Sequence, residues 1–238
     1  MHDTAKTHVP MRKIDSELLL LRAEKFCALA ALFRTDVSQY PHAIEKLLTP
    51  CPGIAECAAG SLAACETGRA ALQWATDRPD RTEIMDEHLS LFGSDDLITC
   101  MPQVAPCANM YVGGDSVETA IGVSALYDSM GFCGTVTGRC STRMDVELEF
   151  TGHLLREASE GDIDALLVAR GFIVTHLFTW GVVFSAATFS RSNHPITRFA
   201  GLMLEHMLFC ETEQAKSLAR GYRVLDTHPE SGSNSAYA

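Results

Sequence analysis

The sequence lacks the short motifs by which many metal and nucleotide sites are recognised. Its 238 residues include nine cysteines, but no two of them have the C-x-x-C spacing of zinc knuckles and thioredoxin-like sites. It contains no His-Glu-x-x-His, no G-x-S-x-G and no glycine-rich phosphate loop of the Walker or Rossmann type. Because no nucleophile carries a local catalytic signature, we predict that the protein is not an enzyme and holds no cofactor and no metal.

Basic residues are also scarce. The chain has 19 Lys and Arg against 30 Asp and Glu, a net charge of −11 and a pI near 5.2. An acidic surface repels phosphate backbones, so the composition disfavours nucleic acid as a partner and favours a basic peptide. The start of the chain shows no secretory apolar core, since the leucine run at 18–21 is only four residues long. We therefore expect a cytoplasmic protein with reduced thiols.

The apolar residues recur at helical spacing, and no segment shows the sustained alternation of a strand. This pattern predicts an all-α fold, a bundle of roughly nine helices in two subdomains. The predicted organisation is a flexible N-terminal arm (1–13), an N-terminal helical subdomain (14–133), a Gly-rich hinge (134–142), a C-terminal helical subdomain (143–225) and a flexible tail (226–238).

One long apolar run raises the question of a membrane span. Residues 171–189 (GFIVTHLFTWGVVFSAATF) carry no formal charge, and a spanning helix needs about 20 apolar residues. The run is short for that purpose and belongs to a longer predicted helix over 162–190, so we predict a central helix that its neighbours cover on all sides. His176 and Trp180 share one face of this helix, and we expect them to hold the bundle together rather than to contact a ligand.

Three polar residues could form a different kind of site. Asp145, Glu149 and His153 follow one another at intervals of four and therefore share a helix face. Such a face could ligate a metal inside a bundle, although the di-iron bundles use a Glu-x-x-His spacing that this chain lacks. We favour a solvated or interfacial polar face, and the alternative is a metal-binding helical-bundle enzyme that uses these three residues.

Five segments, taken in order, resemble one family. They are HLSLFG, VAPCANMY, LYDSMGF, VELEFTGHLL and FIVTHLFTWGVVF, and they are similar to segments of the TorD/DmsD-like cytoplasmic chaperones of twin-arginine-exported molybdoenzymes, the redox-enzyme maturation proteins. The resemblance covers roughly residues 16–208. It includes an E-L-x-F helix at 147–150 and an H-L-x-x-W helix at 176–180, so His176 and Trp180 form part of the family pattern.

The resemblance implies a molecular chaperone. Such a protein binds the twin-arginine signal peptide, and often the apoenzyme, of a molybdopterin oxidoreductase and withholds export until the cofactor is inserted. It has no membrane span, and its contact with the translocase is transient. A Gly-rich hinge would be compatible with a monomer or with a domain-swapped homodimer.

The resemblance also suggests where a signal peptide would bind. An amphipathic segment can lay its apolar face in a groove, and carboxylates near the groove mouth can bind its arginines. We expect the groove between the loop after Phe92 and the hinge before the E-L-x-F helix. The expected signal-peptide-binding residues are Phe92, Gly93, Asp95, Asp96, Pro106, Asn109, Tyr111, Thr142, Arg143, Glu147 and Glu149.

The chain departs from the family pattern at two places. The family's proline–tyrosine–x–serine is here Pro106-Cys107-Ala108-Asn109. Many members also carry E-P-x-D-H before the E-L-x-F helix, and its aspartate and histidine positions fall on Thr142 and Arg143. The nucleotide-binding role proposed for that motif is therefore without its usual residues in this chain.

Overall fold

The computed structural model describes residues 15–51, 58–77, 81–93, 102–113, 116–133 and 140–226, with side chains described except at 58–64, 116 and 217–226. These residues confirm the all-α class, with eight helices and no strand where roughly nine helices were predicted. The helices are α1 (Ser16–Leu32), α2 (Tyr40–Leu48), α3 (Ala58–Asp77), α4 (Thr82–Phe92), α5 (Ser116–Ser129), α6 (Met144–Ser159), α7 (Ile163–Arg191) and α8 (Pro195–Asp226). The predicted arm, residues 134–139 of the hinge and the tail from 227 lie outside the described residues.

Local sequence signals fix several helix ends. The Asp15 carboxylate accepts a hydrogen bond from the Leu18 N–H at 3.1 Å, and the Asp162 carboxylate accepts one from the Ala165 N–H at 2.9 Å. Both aspartates thereby satisfy a backbone donor that the first turn of α1 or α7 leaves free. At its other end, α4 stops at Gly93, whose φ of 76° is a conformation that glycine adopts without strain.

The helices before and after the hinge share one core. Buried apolar side chains from Leu19 in α1 to Leu208 in α8 form a single connected cluster. α1 packs along α6, and it is also joined to α8 by a buried ion pair in which Arg22 Nε donates to Glu211 Oε1 at 2.7 Å. In the part of the chain that the structure describes, helices from both sides of the hinge therefore contribute to the same hydrophobic core.

Small residues allow the helices to approach closely. A Cβ added to Gly152 of α6 would lie 2.6 Å from the Cys27 Sγ and 3.0 Å from the Ala23 carbonyl oxygen, both on α1. A Cβ at Gly201 of α8 would lie 3.0 Å from the Ser185 carbonyl oxygen of α7. Larger residues at these positions would force the helices apart.

α7 is covered on one side only. It is the one helix among the described residues that is long and apolar enough to cross a membrane, a test that the core helix of a soluble protein also passes. Trp180 and Phe184 are fully buried, but Leu167 and Val183 are 59% and 55% exposed. The prediction that neighbours cover this helix on all sides is wrong, because its main packing partners, α6 and α8, leave one stripe of α7 open.

Candidate functional site

A short antiparallel bridge joins the loop before α5 to the turn before α6. Cys107 and Arg143 are the bridged residues. The Ala108 N–H donates to the Thr142 carbonyl oxygen at 2.8 Å, and the Met144 N–H donates to the Pro106 carbonyl oxygen at 2.8 Å. The structure therefore brings together Pro106, Thr142 and Arg143, three of the residues expected at the binding site. Thr142 is fully buried, and the Arg143 Nε donates to Asp145 Oδ1 at 3.0 Å.

The carboxyl group of Glu147, in the first turn of α6, links the E-L-x-F and H-L-x-x-W motifs. Trp180 Nε1 donates to Glu147 Oε2 at 3.0 Å, and His176 Nε2 lies 2.8 Å from Glu147 Oε1 within hydrogen-bond distance. Burial raises the pKa of Glu147 to about 7, and the hydrogen bond and charge of His176 oppose that rise. His176 belongs to a π-helical turn of α7, Ile173–Leu177.

The position of Glu147 differs from the expectation. Its side chain has no solvent exposure, so its carboxylate does not line the mouth of a surface groove. His176 and Trp180 connect α7 to α6 through their contacts with this carboxyl group. A buried carboxylate with these two partners is a structural link between the helices.

The two aromatic residues of the expected groove are divided between core and surface. Phe92 is buried and packs with its ring centroid 5.9 Å from that of Phe33. Tyr111 is half-buried and stacks on Trp180, with 5.6 Å between ring centroids and 27° between ring planes. Phe92 and Gly93 are therefore part of the core. Tyr111 instead lies on Trp180, the residue that donates a hydrogen bond to Glu147.

An open groove of about 490 Å³ lies beside the bridge, against α5. Val123 and Tyr127 face the core, which leaves Val117 and Ile121 62% and 63% exposed on the opposite side of the helix. Asn109 borders the groove, and its Oδ1 is buried without a hydrogen-bond partner among the described residues. The groove is lined by Asn109, Val117, Ala120, Ile121, Ser124, Ala125 and Asp128.

Sequence reasoning identified Asn109 and missed the rest of this groove. The interval of four between Val117 and Ile121 was a signal, because both lie away from the face that carries Val123 and Tyr127. Val117 and Ile121 together form an apolar strip on the solvent side of α5.

A second pocket, of about 330 Å³, lies between α1, α6 and residues 131–133, which follow α5. The Glu149 carboxylate forms an ion pair with Arg34, which follows α1, and Arg34 Nε also lies 3.5 Å from Asp145 Oδ2. His153 Nε2 instead lies 3.2 Å from the Met130 carbonyl oxygen. The pocket is lined by Cys27, Gly131, Phe132, Cys133, Glu149, His153 and Arg156.

The geometry bears on the alternative metal site. The carboxylates of Asp145 and Glu149 are both directed at guanidinium groups, and the imidazole of His153 is directed at a backbone carbonyl. Among the described residues, no group of three His, Cys, Asp or Glu side chains is arranged to hold a metal ion.

Two expected site residues, Asp95 and Asp96, lie outside the described residues.

Comparisons with protein-family models, with curated proteins and with solved structures found no match to this chain.

Proposed function

We propose that this chain is a cytoplasmic chaperone that binds the twin-arginine signal peptide, and the apoenzyme, of a molybdopterin oxidoreductase and withholds export until cofactor insertion. The observation that carries the proposal is the open groove on α5, which adjoins the loop of the expected binding site. The sequence resemblance supplies the identity of the ligand.

The lining of the groove matches the chemistry of a twin-arginine leader. Such a leader joins a basic segment to an apolar one. Val117 and Ile121 offer exposed apolar surface to the second, and burying one such side chain contributes roughly 1.5–3 kcal/mol. The exposed carboxylate of Asp128 lies at the same groove and can accept hydrogen bonds from a guanidinium group.

The net charge of the chain supports a basic ligand as well. At −11, the protein attracts a cationic peptide at long range and raises the rate of encounter. Glu147 does not serve as an arginine partner in this proposal, because its carboxyl group is buried between His176 and Trp180.

The proposal is tested by calorimetric titration with a synthetic twin-arginine leader. Replacing Ile121 with Asp places a charge in the apolar part of the groove, and we expect affinity to fall at least roughly tenfold. The matched control is Leu167→Asp, which changes an equally exposed apolar residue on α7 and should leave affinity unchanged. Circular dichroism checks that both variants keep the wild-type helix content.

A second titration tests the identity of the ligand. A leader whose paired arginines are replaced by alanine should bind more weakly than the intact leader. Absence of binding to any twin-arginine leader encoded in the same genome would refute the proposed function. Equal loss of affinity in the Leu167 and Ile121 variants would show that the leader binds elsewhere.

A further inference from the structure

One face of α7 presents a continuous row of uncharged residues to solvent. The members of the row follow one another at intervals of four residues, and all are exposed. Ile163, Leu167 and Val183 are its large apolar members, and each is at least 40% exposed. The α7 row consists of Ile163, Leu167, Gly171, Thr175, Thr179 and Val183. None of these residues lines the groove on α5.

A π-helical turn keeps the row on one side of the helix. In a regular α-helix an interval of four residues advances by about 40°, so Val183 would lie about 160° around the axis from Leu167. The π-helical turn Ile173–Leu177 lies between them and holds one additional residue, which reduces that rotation by about 100°. Leu167 and Val183 therefore both remain on the exposed side of α7.

The row can be covered by a partner without loss of a hydrogen-bond donor. The Thr175 hydroxyl donates to the Gly171 carbonyl oxygen at 2.8 Å, and the Thr179 hydroxyl donates to the His176 carbonyl oxygen at 2.6 Å. Both hydroxyl groups find their acceptors within α7, so removing them from water would leave neither donor unsatisfied. The two threonines are therefore compatible with a buried contact.

An aromatic pair widens the apolar face beyond α7. Phe178 is half-buried beside the row, and its ring centroid lies 5.3 Å from that of Phe209, an exposed residue of α8. The row itself is about 30 Å long. A contact along one such helix is small beside the roughly 800 Å² that each partner buries in a stable interface, so we expect an affinity in the micromolar range.

The two ends of α7 carry exposed charges of opposite sign. Asp164 lies in the first turn of the helix, and Arg191 is its last residue. In an antiparallel pair of α7 helices, Asp164 of each copy lies at the same end as Arg191 of the other, and the two helix dipoles attract each other. A parallel pair would instead bring like charges together. The charges therefore favour an antiparallel arrangement.

We propose that the α7 row is the contact surface of a homodimer, in which two α7 helices pack antiparallel across a twofold axis near Thr175. Leu167 and Val183 each lie eight residues from Thr175, so the axis places Leu167 of each protomer against Val183 of its partner. Gly171 then lies opposite Thr179, and its missing side chain allows the helices to approach closely. Each protomer keeps its own helices, and the inference does not rest on the proposed signal-peptide function.

The charges also favour a second copy over a membrane surface. The protein carries a net charge of −11, which the anionic surface of a membrane repels. A second α7 supplies an arginine for Asp164 and an aspartate for Arg191, together with an uncharged row of the same length. A bilayer provides no such ordered pair of opposite charges.

The experiment is sedimentation equilibrium of the full-length protein from roughly 1 to 200 µM. We expect the apparent mass to rise from that of one 25.9 kDa chain toward twice that value. Leu167→Glu and Val183→Lys each place a charge in the contact, and each should raise the dissociation constant at least roughly tenfold. An apparent mass of one chain throughout the concentration range would overturn the proposal.

The double variant Leu167→Glu/Val183→Lys tests the arrangement of the helices. In the antiparallel dimer each new glutamate faces a new lysine of the other protomer, so the double variant should dimerise at least roughly fivefold more tightly than either single variant. Within one protomer the two residues are separated by about 24 Å along the helix and cannot pair with each other. A double variant that dimerises no more tightly than the single variants would refute the antiparallel contact.

Met85 of α4 supplies a matched control, because it is an exposed apolar residue outside the row. Met85→Glu should leave the dissociation constant unchanged, and circular dichroism checks the helix content of every variant. Equal weakening by Met85→Glu would place the contact elsewhere and overturn the proposal. Sedimentation of the wild-type protein with liposomes of phosphatidylcholine and phosphatidylglycerol, abolished by Leu167→Glu, would show that the row binds membranes instead.

Discussion

Burial and hydrogen bonding act in opposite directions on the carboxyl group of Glu147. Complete removal from water favours its neutral form, whereas His176 and Trp180 favour its charged form, and burial prevails. The resemblance suggested that Glu147 would bind an arginine of the signal peptide, as a carboxylate near the mouth of a groove. In the structure the Glu147 carboxyl group is buried against Trp180 of α7, and Tyr111 stacks on that tryptophan.

This balance predicts how stability depends on pH. The pKa of Glu147 in the folded state, about 7, lies above its ordinary value of about 4.3, so between those values the folded protein binds more protons than the unfolded protein. The contribution of Glu147 is therefore present in full below about pH 4.3 and is lost as the pH rises to about 7. Glu147→Gln, which does not titrate, should remove this contribution.

The measurement is urea unfolding of both proteins from pH 4.5 to 7.5. The stability of wild type relative to Glu147→Gln should fall over this range, by on the order of 3 kcal/mol. The difference between the two proteins is the relevant quantity, because burial lowers the pKa of His88 to about 4 and gives both proteins an opposite trend. A difference that does not vary with pH would contradict the raised pKa of Glu147.

At the scale of elements, α6 organises the fold through two different faces. Its first turn carries Glu147 toward α7, and Gly152 allows α1 to approach on another face. The helix predicted over 162–190 is found at Ile163–Arg191, because caps and turn residues are local signals. The sequence did not show which helices pack together, because packing partners depend on contacts far apart in the chain.

The contact at Gly152 gives a prediction about overpacking. Gly152→Ala should lower the free energy of unfolding by about 1–3 kcal/mol, because the new methyl group would overlap Cys27 and the Ala23 carbonyl group. The loss should exceed the gain of about 1 kcal/mol that alanine normally brings to a helix interior. Urea unfolding of wild type and of Gly152→Ala measures the net change in the free energy of unfolding.

Gly122 provides the matched control for this substitution. It lies within α5 with nothing within 4 Å of an added Cβ, so Gly122→Ala should stabilise the protein by up to about 1 kcal/mol. Adding Cys27→Ala to the Gly152 variant should recover part of the loss, since it removes the closer of the two overlaps. A Gly152→Ala protein as stable as wild type would show that α1 and α6 can separate at no cost.

At the scale of the whole molecule, the shared core connects the helices on either side of the hinge. The sequence suggested two subdomains, because a Gly-rich stretch separates two helical regions. In the structure α1 packs against α6, and Arg22 of α1 pairs with Glu211 of α8. Separating the helices before the hinge from those after it would leave the buried charges of Arg22 and Glu211 without their partners.

We therefore expect the chain to unfold in one transition. The two tryptophans report on both sides of the hinge, Trp74 from α3 and Trp180 from α7. In Trp74→Phe and in Trp180→Phe, the fluorescence of the remaining tryptophan should change at the same urea concentration as the far-ultraviolet circular dichroism of that variant. Separate midpoints for the two probes would establish two independent subdomains.

The sequence by itself determined the all-α class and the approximate bounds of α7, because helical periodicity and caps are encoded in neighbouring residues. It also selected His176 and Trp180 as a pair, since an interval of four places them on one face of α7. Only the tertiary structure decided that Glu147 joins them and that Val117 and Ile121 line a groove. Each of these arrangements depends on which distant segments pack together and exclude water, and no local pattern specifies that.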